Sequence, residues 1–507
     1  MNTTTTWITR KVSGLLPHAG AKGASKGNLN KIIQENVPPA PVDSAQAAIK
    51  TVATDKNSSS KPRSTRERLL GSLRHKEEAL SPRVLRRTLE ELRAIVDPQV
   101  SEVEGGRRAQ GVARWYASAT LEQRRDMWLL MSEQFVADPQ VVKVAQAQFA
   151  AAVGTPDEAA AEVHYRRATV SPRRRLLQRF SAFPEGIRFL VDLRADMLPH
   201  LKADKRLQAL DVEMEYMFST WFDVGFLDLR PISWDSPASL IEKLIKYEAV
   251  HDIKSWADVK NRLDSDRRCY GFFHPRLPDE PLIFVEVAFM DDMANSITPL
   301  LDEAASAADL KKATTAIFYS ISNTQTGLRG VSFGDSLIKR VVETLKLEFP
   351  KLKVFATLSP IPGFRAWLGK NAAAMLEKLD DKSRLQLGRA LGFDTPGPEH
   401  FLSASDKALA LDAKSPVRSL LLQCAAHYLG SEIKDGKPVD PVARFHLGNG
   451  ARVERLNWAG DPSAKGLKQS CGLMVNYLYD LKRLDKHRAM LVQGKIAVSG
   501  DIDDLQF

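Results

Sequence analysis

The residues from Thr314 to Phe364, TTAIFYSISNTQTGLRGVSFGDSLIKRVVETLKLEFPKLKVFATLSPIPGF, constrain the chain more than any other stretch. Ala316, Phe318 and Ser320 alternate with Ile317, Tyr319 and Ile321, an apolar and β-branched run that predicts a strand covered on both faces. Gly327 and Gly330 mark a turn. Beyond it Leu337, Ile338, Val341, Val342 and Leu345 fall on one side of a helix, with Ser332 or Asp335 placed to cap it. Pro350 stops the helix, Val354 to Leu358 return to strand character, and Ser359-Pro360-Ile361-Pro362-Gly363 is expected to end that strand abruptly. The order is strand, turn, helix, strand.

A turn that feeds a helix N-terminus directs unpaired backbone N–H groups outward and favours an anion there. Here the turn reads Arg329-Gly330-Val331-Ser332-Phe333-Gly334-Asp335. Its glycines permit close backbone approach, and Arg329 adds a planar cation suited to a phosphate ester. Glycines in a turn also fit an ordinary strand-to-helix loop. The pattern is neither a Walker loop, since no Gly-Lys-Ser/Thr follows, nor the dinucleotide G-x-G-x-x-G.

At 507 residues the chain has room for two or three domains, and 44% hydrophobic with 26% charged residues is the balance of a globular protein. No apolar run is long enough for a membrane span. The net charge of +10 would suit nucleic acid, yet no zinc-knuckle spacing or RNA-binding aromatic signature accompanies it, and a polyanionic small ligand fits equally. Cys269, Cys424 and Cys471 are too far apart for a metal motif or a disulfide framework and read as buried small hydrophobes in a reducing compartment.

Residues 1–80 are rich in Ser, Thr, Pro, Lys and Gly and are expected to be a disordered basic extension. Arg10, Lys11, Lys22, Lys26 and Lys31 precede the first acidic residue, Glu35, a bias shared with transit peptides; a cytoplasmic tail is the preferred reading and the mitochondrial matrix the alternative. Residues 81–190 read as a helical module. Ser81-Pro82 opens a helix with Leu85, Leu89, Leu92 and Ile95 on one side, and Thr120 to Gln123 matches a capping box. The clusters Arg166-Arg167 and Arg173-Arg174-Arg175 are expected on solvated faces or in ion pairs. Residues 191–497 form the second domain and 498–507 a tail. Within it, Cys269 to Phe273 and Leu282 to Phe289 predict antiparallel strands about a turn at 274–281, with Glu286 either wet or paired. The fold class expected is α+β: an N-terminal all-α bundle, then an α/β domain around a mixed central sheet.

The turn Arg329-Gly330-x-Ser332-x-Gly334 resembles the pyrophosphate turn of the acetyltransferase-like (GNAT) acyl-CoA fold, with Ser332 where a glycine is usual. The wider blocks SISNTQTGLRGVSFGDSLIKRVV, TLSPIPGFRAWL, DPVARFHLGNGARVERLNW and QSCGLMVNYLY resemble the malonyl-CoA decarboxylase family. The resemblance implies Ser359 and His446 as catalytic residues and residues Arg329 to Asp335 as the coenzyme A pyrophosphate turn. It also implies a homo-oligomer, a tetramer built as a dimer of dimers, with no cofactor beyond the coenzyme A of the substrate. His446, ordinarily with a pKa of about 6.5, is the expected proton donor. Asn449, three residues on, is a candidate for head-group or oxyanion support. An N-acetyltransferase on the same fold is the alternative, although the Ser359 and His446 blocks have no place in one. A scaffold or nucleic-acid binder is the third reading. The C-terminal Asp504-Leu505-Gln506-Phe507 lacks the Ser-Lys-Leu signal for peroxisomes.

Overall fold

The structure, a computed structural model, describes residues 80–331, 333 and 337–507. The expected basic extension and the turn residues Ser332, Gly334 and Asp335 lie outside the described residues. The N-terminal module comprises α1 (Pro82–Val96), α2 (Glu102–Ser118), α3 (Leu121–Gln134), α4 (Pro139–Ala152), α5 (Glu158–Thr169), α6 (Pro172–Ser181), α7 (Gly186–Met197) and α8 (Gln208–Trp221). Leu85, Leu89, Leu92 and Ile95 of α1 are buried as their spacing requires, and the Thr120–Gln123 capping box closes in both directions at the start of α3. Arg174 pairs with Glu213 at 2.7 Å. Arg173 departs from expectation: it is buried, and its guanidinium donates to the carbonyls of Met131, Ser132 and Ala209. An arginine fork can satisfy several helix-end carbonyls at once, which a sequence run of cations does not reveal.

The strands are β1 (Asp228–Ile232), β2 (Arg267–His274), β3 (Leu277–Met290), β4 (Thr315–Asn323), β5 (Val354–Thr357), β6 (Ser359–Pro360), β7 (Ile433–Lys434), β8 (Lys437–Pro438), β9 (Arg452–Asn457) and β10 (Met474–Leu478). One mixed sheet runs β1-β2-β3-β4-β5-β10-β6, with β9 also on β10; β7 and β8 make a separate hairpin. The α+β class and the mixed central sheet therefore hold. β4 is the centre, antiparallel to β3 and parallel to β5. Its alternation is real: Ala316 and Phe318 join the large core shared with the helical module, while Ile317 and Tyr319 pack on the other face with Ala356, Leu358 and Met474. The helix Leu337–Glu348 buries the five residues its spacing picked out.

Two strand boundaries differ from the sequence reading. β3 begins at Leu277 and so includes Pro278 and Pro281, which looked like turn; register shifts at Phe272/Phe273 and Phe273/His274 absorb the missing proline N–H groups. Ser359 does not lie beyond the strand. The chain changes partner there, leaving β4 and pairing Ser359 with Val475 of β10.

Candidate active site

The site forms where two parallel strands part. β4 and β5 are in register from Thr315↔Val354 to Phe318↔Thr357, and one more bond, Leu358 N to Phe318 O at 3.0 Å, closes the ladder. Beyond this, β4 continues to Asn323 while the other strand turns toward β10. The gap becomes a cavity of about 210 Å³, walled by β4 from Phe318 to Ile321, by Ser359 and Pro360, and by the His446 side of the helix Pro441–Gly448. Its volume admits a short acyl group; a nucleotide must stay outside.

Asp440 fixes that helix. Its Oδ1 accepts from the N–H groups of Val442 and Ala443 at 2.9 and 3.0 Å, and Pro441 occupies the first turn. Gly450, at φ 85°, turns the chain out of it, and a Cβ there would stand 2.7 Å from the Leu484 carbonyl oxygen. His446 thereby sits in the last helical turn with its ring stacked on Tyr477, centroids 4.7 Å apart.

Ser359 Oγ lies 3.2 Å from His446 Nε2 although the residues are 87 positions apart. Two further groups, Thr357 and Tyr479, complete a chain. Ser359 Oγ donates to Thr357 Oγ1 at 2.8 Å, and Thr357 Oγ1 also accepts from Tyr477 N at 3.1 Å. With its proton spent there, Ser359 accepts from His446, so the ring carries its hydrogen on Nε2. His446 Nδ1 then accepts from the Tyr479 hydroxyl at 2.7 Å. Burial pulls the imidazole pKa down to about 3, so the ring is neutral in the free protein rather than titrating near its ordinary value. Burial also pushes the Tyr479 hydroxyl well above the usual tyrosine range, which keeps it a donor.

On the opposite wall Ser320 is turned to accept. Ser320 donates to both carboxylate oxygens of Glu248 at 2.8 Å, and Glu248 also accepts from Ser322 Oγ and from the N–H groups of Val250 and His251. Ser320 thus shows the cavity lone pairs with a carboxylate behind them.

Among the turn residues, Arg329 and Gly330 are exposed, and Gly330 takes φ 83°, a left-handed conformation that favours glycine. Val331 and Phe333 are buried anchors; the Phe333 carbonyl accepts from Val224 N at 2.9 Å. Helix α7 holds the approach to this turn. Arg194 donates to the carbonyls of Gly327 and Arg329 at 2.8 and 3.0 Å, and Arg188 to Gln325 Oε1 at 3.0 Å. A Cβ on Gly327 would fall 1.9 Å from the Val191 carbonyl oxygen, so α7 packs on bare backbone there. Asn449 stands behind His446, its amide donating to Phe445 O at 2.8 Å and its Oδ1 buried without a hydrogen-bond partner among the described residues. Glu286 is fully buried and paired with Arg262 at 2.9 Å, away from the cavity walls. All three cysteines are buried.

Comparison with known proteins gives a consistent result. The family model for the malonyl-CoA decarboxylase C-terminal domain matches residues 225–506, and that for the N-terminal domain matches 135–222. The goose protein named "Malonyl-CoA decarboxylase, mitochondrial" is 38% identical over 327 residues, 62% of this chain and 65% of that one. A mouse protein of the same name is 39% identical over 340 residues, 64% of this chain and 68% of the other. The aligned part thus spans about two thirds of these relatives' length. The crystal structure of malonyl-CoA decarboxylase from Cupriavidus metallidurans is 44% identical, covers 83% of this chain and 100% of its own, and superposes with a TM-score of 0.69. That from Rhodopseudomonas palustris is 40% identical, covers 83% and 99%, and gives 0.71.

Proposed function

Because the chain belongs to the malonyl-CoA decarboxylase family, we propose that it converts malonyl-CoA to acetyl-CoA and carbon dioxide with Ser359 and His446 at the acyl head group. The observation that carries this reading is the Ser359–His446 contact of 3.2 Å in the wall of a cavity sized for a short acyl chain. In a malonyl thioester the departing carboxylate is β to the thioester carbonyl. When the carbon–carbon bond breaks, its electron pair passes onto that carbonyl, and the enolate then takes a proton at carbon. The thioester is its own electron sink, so no metal or organic cofactor enters the reading. The protein holds the carboxylate out of the carbonyl plane, stabilises the enolate and delivers a proton.

The walls divide this work. Glu248 behind Ser320 repels a second carboxylate, which directs the malonyl carboxylate toward Ser359 and His446. The imidazole is neutral when the site is empty, with its hydrogen on Nε2 and its Nδ1 accepting from the Tyr479 hydroxyl. After carbon dioxide leaves, His446 Nε2 gives its proton to the enolate carbon while Nδ1 takes one from the Tyr479 hydroxyl, which regains a proton from solvent before the next turnover. The turn 329–335 would grip the pyrophosphate, and binding energy from that remote part of the substrate supports the strained conformer.

Purified protein incubated with malonyl-CoA is expected to yield acetyl-CoA and carbon dioxide in equal amounts, before and after exhaustive dialysis against a chelator. A chain that only moves acetyl groups onto amines would leave malonyl-CoA untouched. The buried imidazole sets a second expectation. Its free-protein pKa of about 3 places no His446 limb in kcat/KM between pH 5 and 8. A limb near pH 6.5 that disappears on replacing His446 would contradict this assignment.

Assembly and compartment are separate parts of the proposal. Across α4 and α5, Ala145 alone is buried, and Val141, Val144 and Val163 are about half exposed. This hairpin is the natural contact for a second copy in a tetramer, which light scattering would weigh. Among the described residues no helix is long and apolar enough to cross a membrane. Cytoplasm is the compartment proposed and the mitochondrial matrix the alternative, the vertebrate relatives being named mitochondrial; a fluorescent fusion of residues 1–79 separates them.

A further inference from the structure

Arg173 and Arg174 are accounted for by carbonyls and by Glu213, but the other arginines near them converge on a groove of about 890 Å³. It lies where α6 meets the start of α2 and the β2–β3 hairpin. Arg167, Arg174, Arg175, Arg179 and Arg276 all line it, and Glu102 is the one acidic residue among its described walls. Cationic helix faces are ordinarily just solvated. Arg179 is different, because its side chain is only 7% exposed. Its Nη2 donates to Val100 O at 3.3 Å, while Nη1 lies 3.5 Å from a carboxylate oxygen of Glu102, a side chain 92% exposed. Nε and Nη1 have no hydrogen-bond acceptor among the described residues. Burying guanidinium donors unmet is costly, so the fork is built for something that supplies oxygens.

The surroundings keep the fork in place. A Cβ on Gly105 would stand 3.0 Å from Arg179 Cδ and 3.1 Å from Nε, so the glycine makes its room. Arg276 is tethered from the hairpin by the carbonyls of Ser181 and Phe183 at 2.8 and 3.3 Å. The side chains of Arg167 and Arg175 have no hydrogen bond or ion pair among the described residues. Planar forks of this kind match phosphate oxygens, and the volume exceeds what one phosphate fills. We propose that this groove binds a small molecule carrying two or more phosphate groups, at a site distinct from the acyl cavity.

The test uses inorganic pyrophosphate and adenosine triphosphate as probes on the full chain, at 0.15 M salt and with acetyl-CoA saturating the acyl site. Equilibrium dialysis and thermal melting are expected to show saturable binding and a raised Tm, with sulfate giving no comparable shift. The double variant Arg167→Ala/Arg175→Ala removes two unpartnered side chains. It should bind about tenfold more weakly per arginine lost, the equivalent of about 1.4 kcal/mol each, with kcat and KM for malonyl-CoA unchanged. Equal binding by variant and parent, or no saturable binding by the parent, overturns the proposal. So does a variant whose only change is a smaller oligomer by light scattering, since the groove would then be a face between copies.

Discussion

Alanine at His446 is expected to lower kcat for malonyl-CoA by about 10³, and alanine at Ser359 by about 10²–10³, in the range that positioned acid–base and hydrogen-bonding groups contribute. The fold should survive both changes. His446 is buried against Tyr477, but its removal enlarges a cavity that already exists, and an imidazole held neutral by burial leaves no uncompensated charge behind. Ser359→Ala takes one hydroxyl from an edge pairing whose backbone bonds to β10 are independent of the side chain. Tyr479→Phe separates position from chemistry: it keeps the ring and deletes only the donor to Nδ1, which frees the imidazole to change tautomer. We expect about 10–100-fold in kcat with KM little altered, the scale on which outer partners of a histidine act. The measurement is single-turnover release of carbon dioxide alongside thermal melts. If His446→Ala and Ser359→Ala each keep a tenth or more of the parent turnover while folded, the pair is not the catalytic centre.

Much of the frame around this site is legible in the residues, because period alone decides it. Leu337, Ile338, Val341, Val342 and Leu345 can share a face only as a helix, and Ala316 to Ile321 can alternate only as a strand. The β3 start at Leu277 was hidden because prolines ordinarily exclude a strand, and the bulges that admit them depend on the partner β2. The site itself is another matter. Ser359 before a proline reads as a turn residue and His446 as one histidine among ten; only the longer block resemblance picked them out. Thr357, Tyr479 and Glu248 carry no local signal at all. A threonine in a strand and a tyrosine just past one look like core, and a glutamate after a helix looks like surface until Ser320 and Ser322 come to meet it. Arg194 and Arg188 likewise gain meaning only when α7 is laid on the bare backbone at Gly327.

Arg262→Met is expected to destabilise the protein by about 3–5 kcal/mol, the usual consequence of removing one member of a buried ion pair. Arg262 is fully buried, donating to Asp258 at 2.7 Å, to Glu286 at 2.9 Å and to the His251 carbonyl at 2.9 Å. Methionine fills much of the space and meets none of these acceptors. The loss should also depend on pH in a definite direction. Burial first, and the nearby Glu248 charge second, push the Glu286 carboxyl up to about 7 despite Arg262. Its folded pKa lies above its unfolded one, so the native state holds the extra proton, and the stability this gives is lost as pH rises from about 4.5 through 7. Without the cation the carboxyl is pushed higher still and stays protonated where the parent ionises. The deficit against the parent should therefore be smallest near pH 5, where Glu286 is neutral in both, and grow above pH 7. Urea denaturation at pH 5 and pH 8 measures it, and Arg262→Met/Glu286→Gln should recover most of the additional loss at pH 8. A single variant within 1 kcal/mol of the parent, or a deficit identical at the two pH values, would mean that this pair is not what holds β3 against the helix Trp256–Arg262.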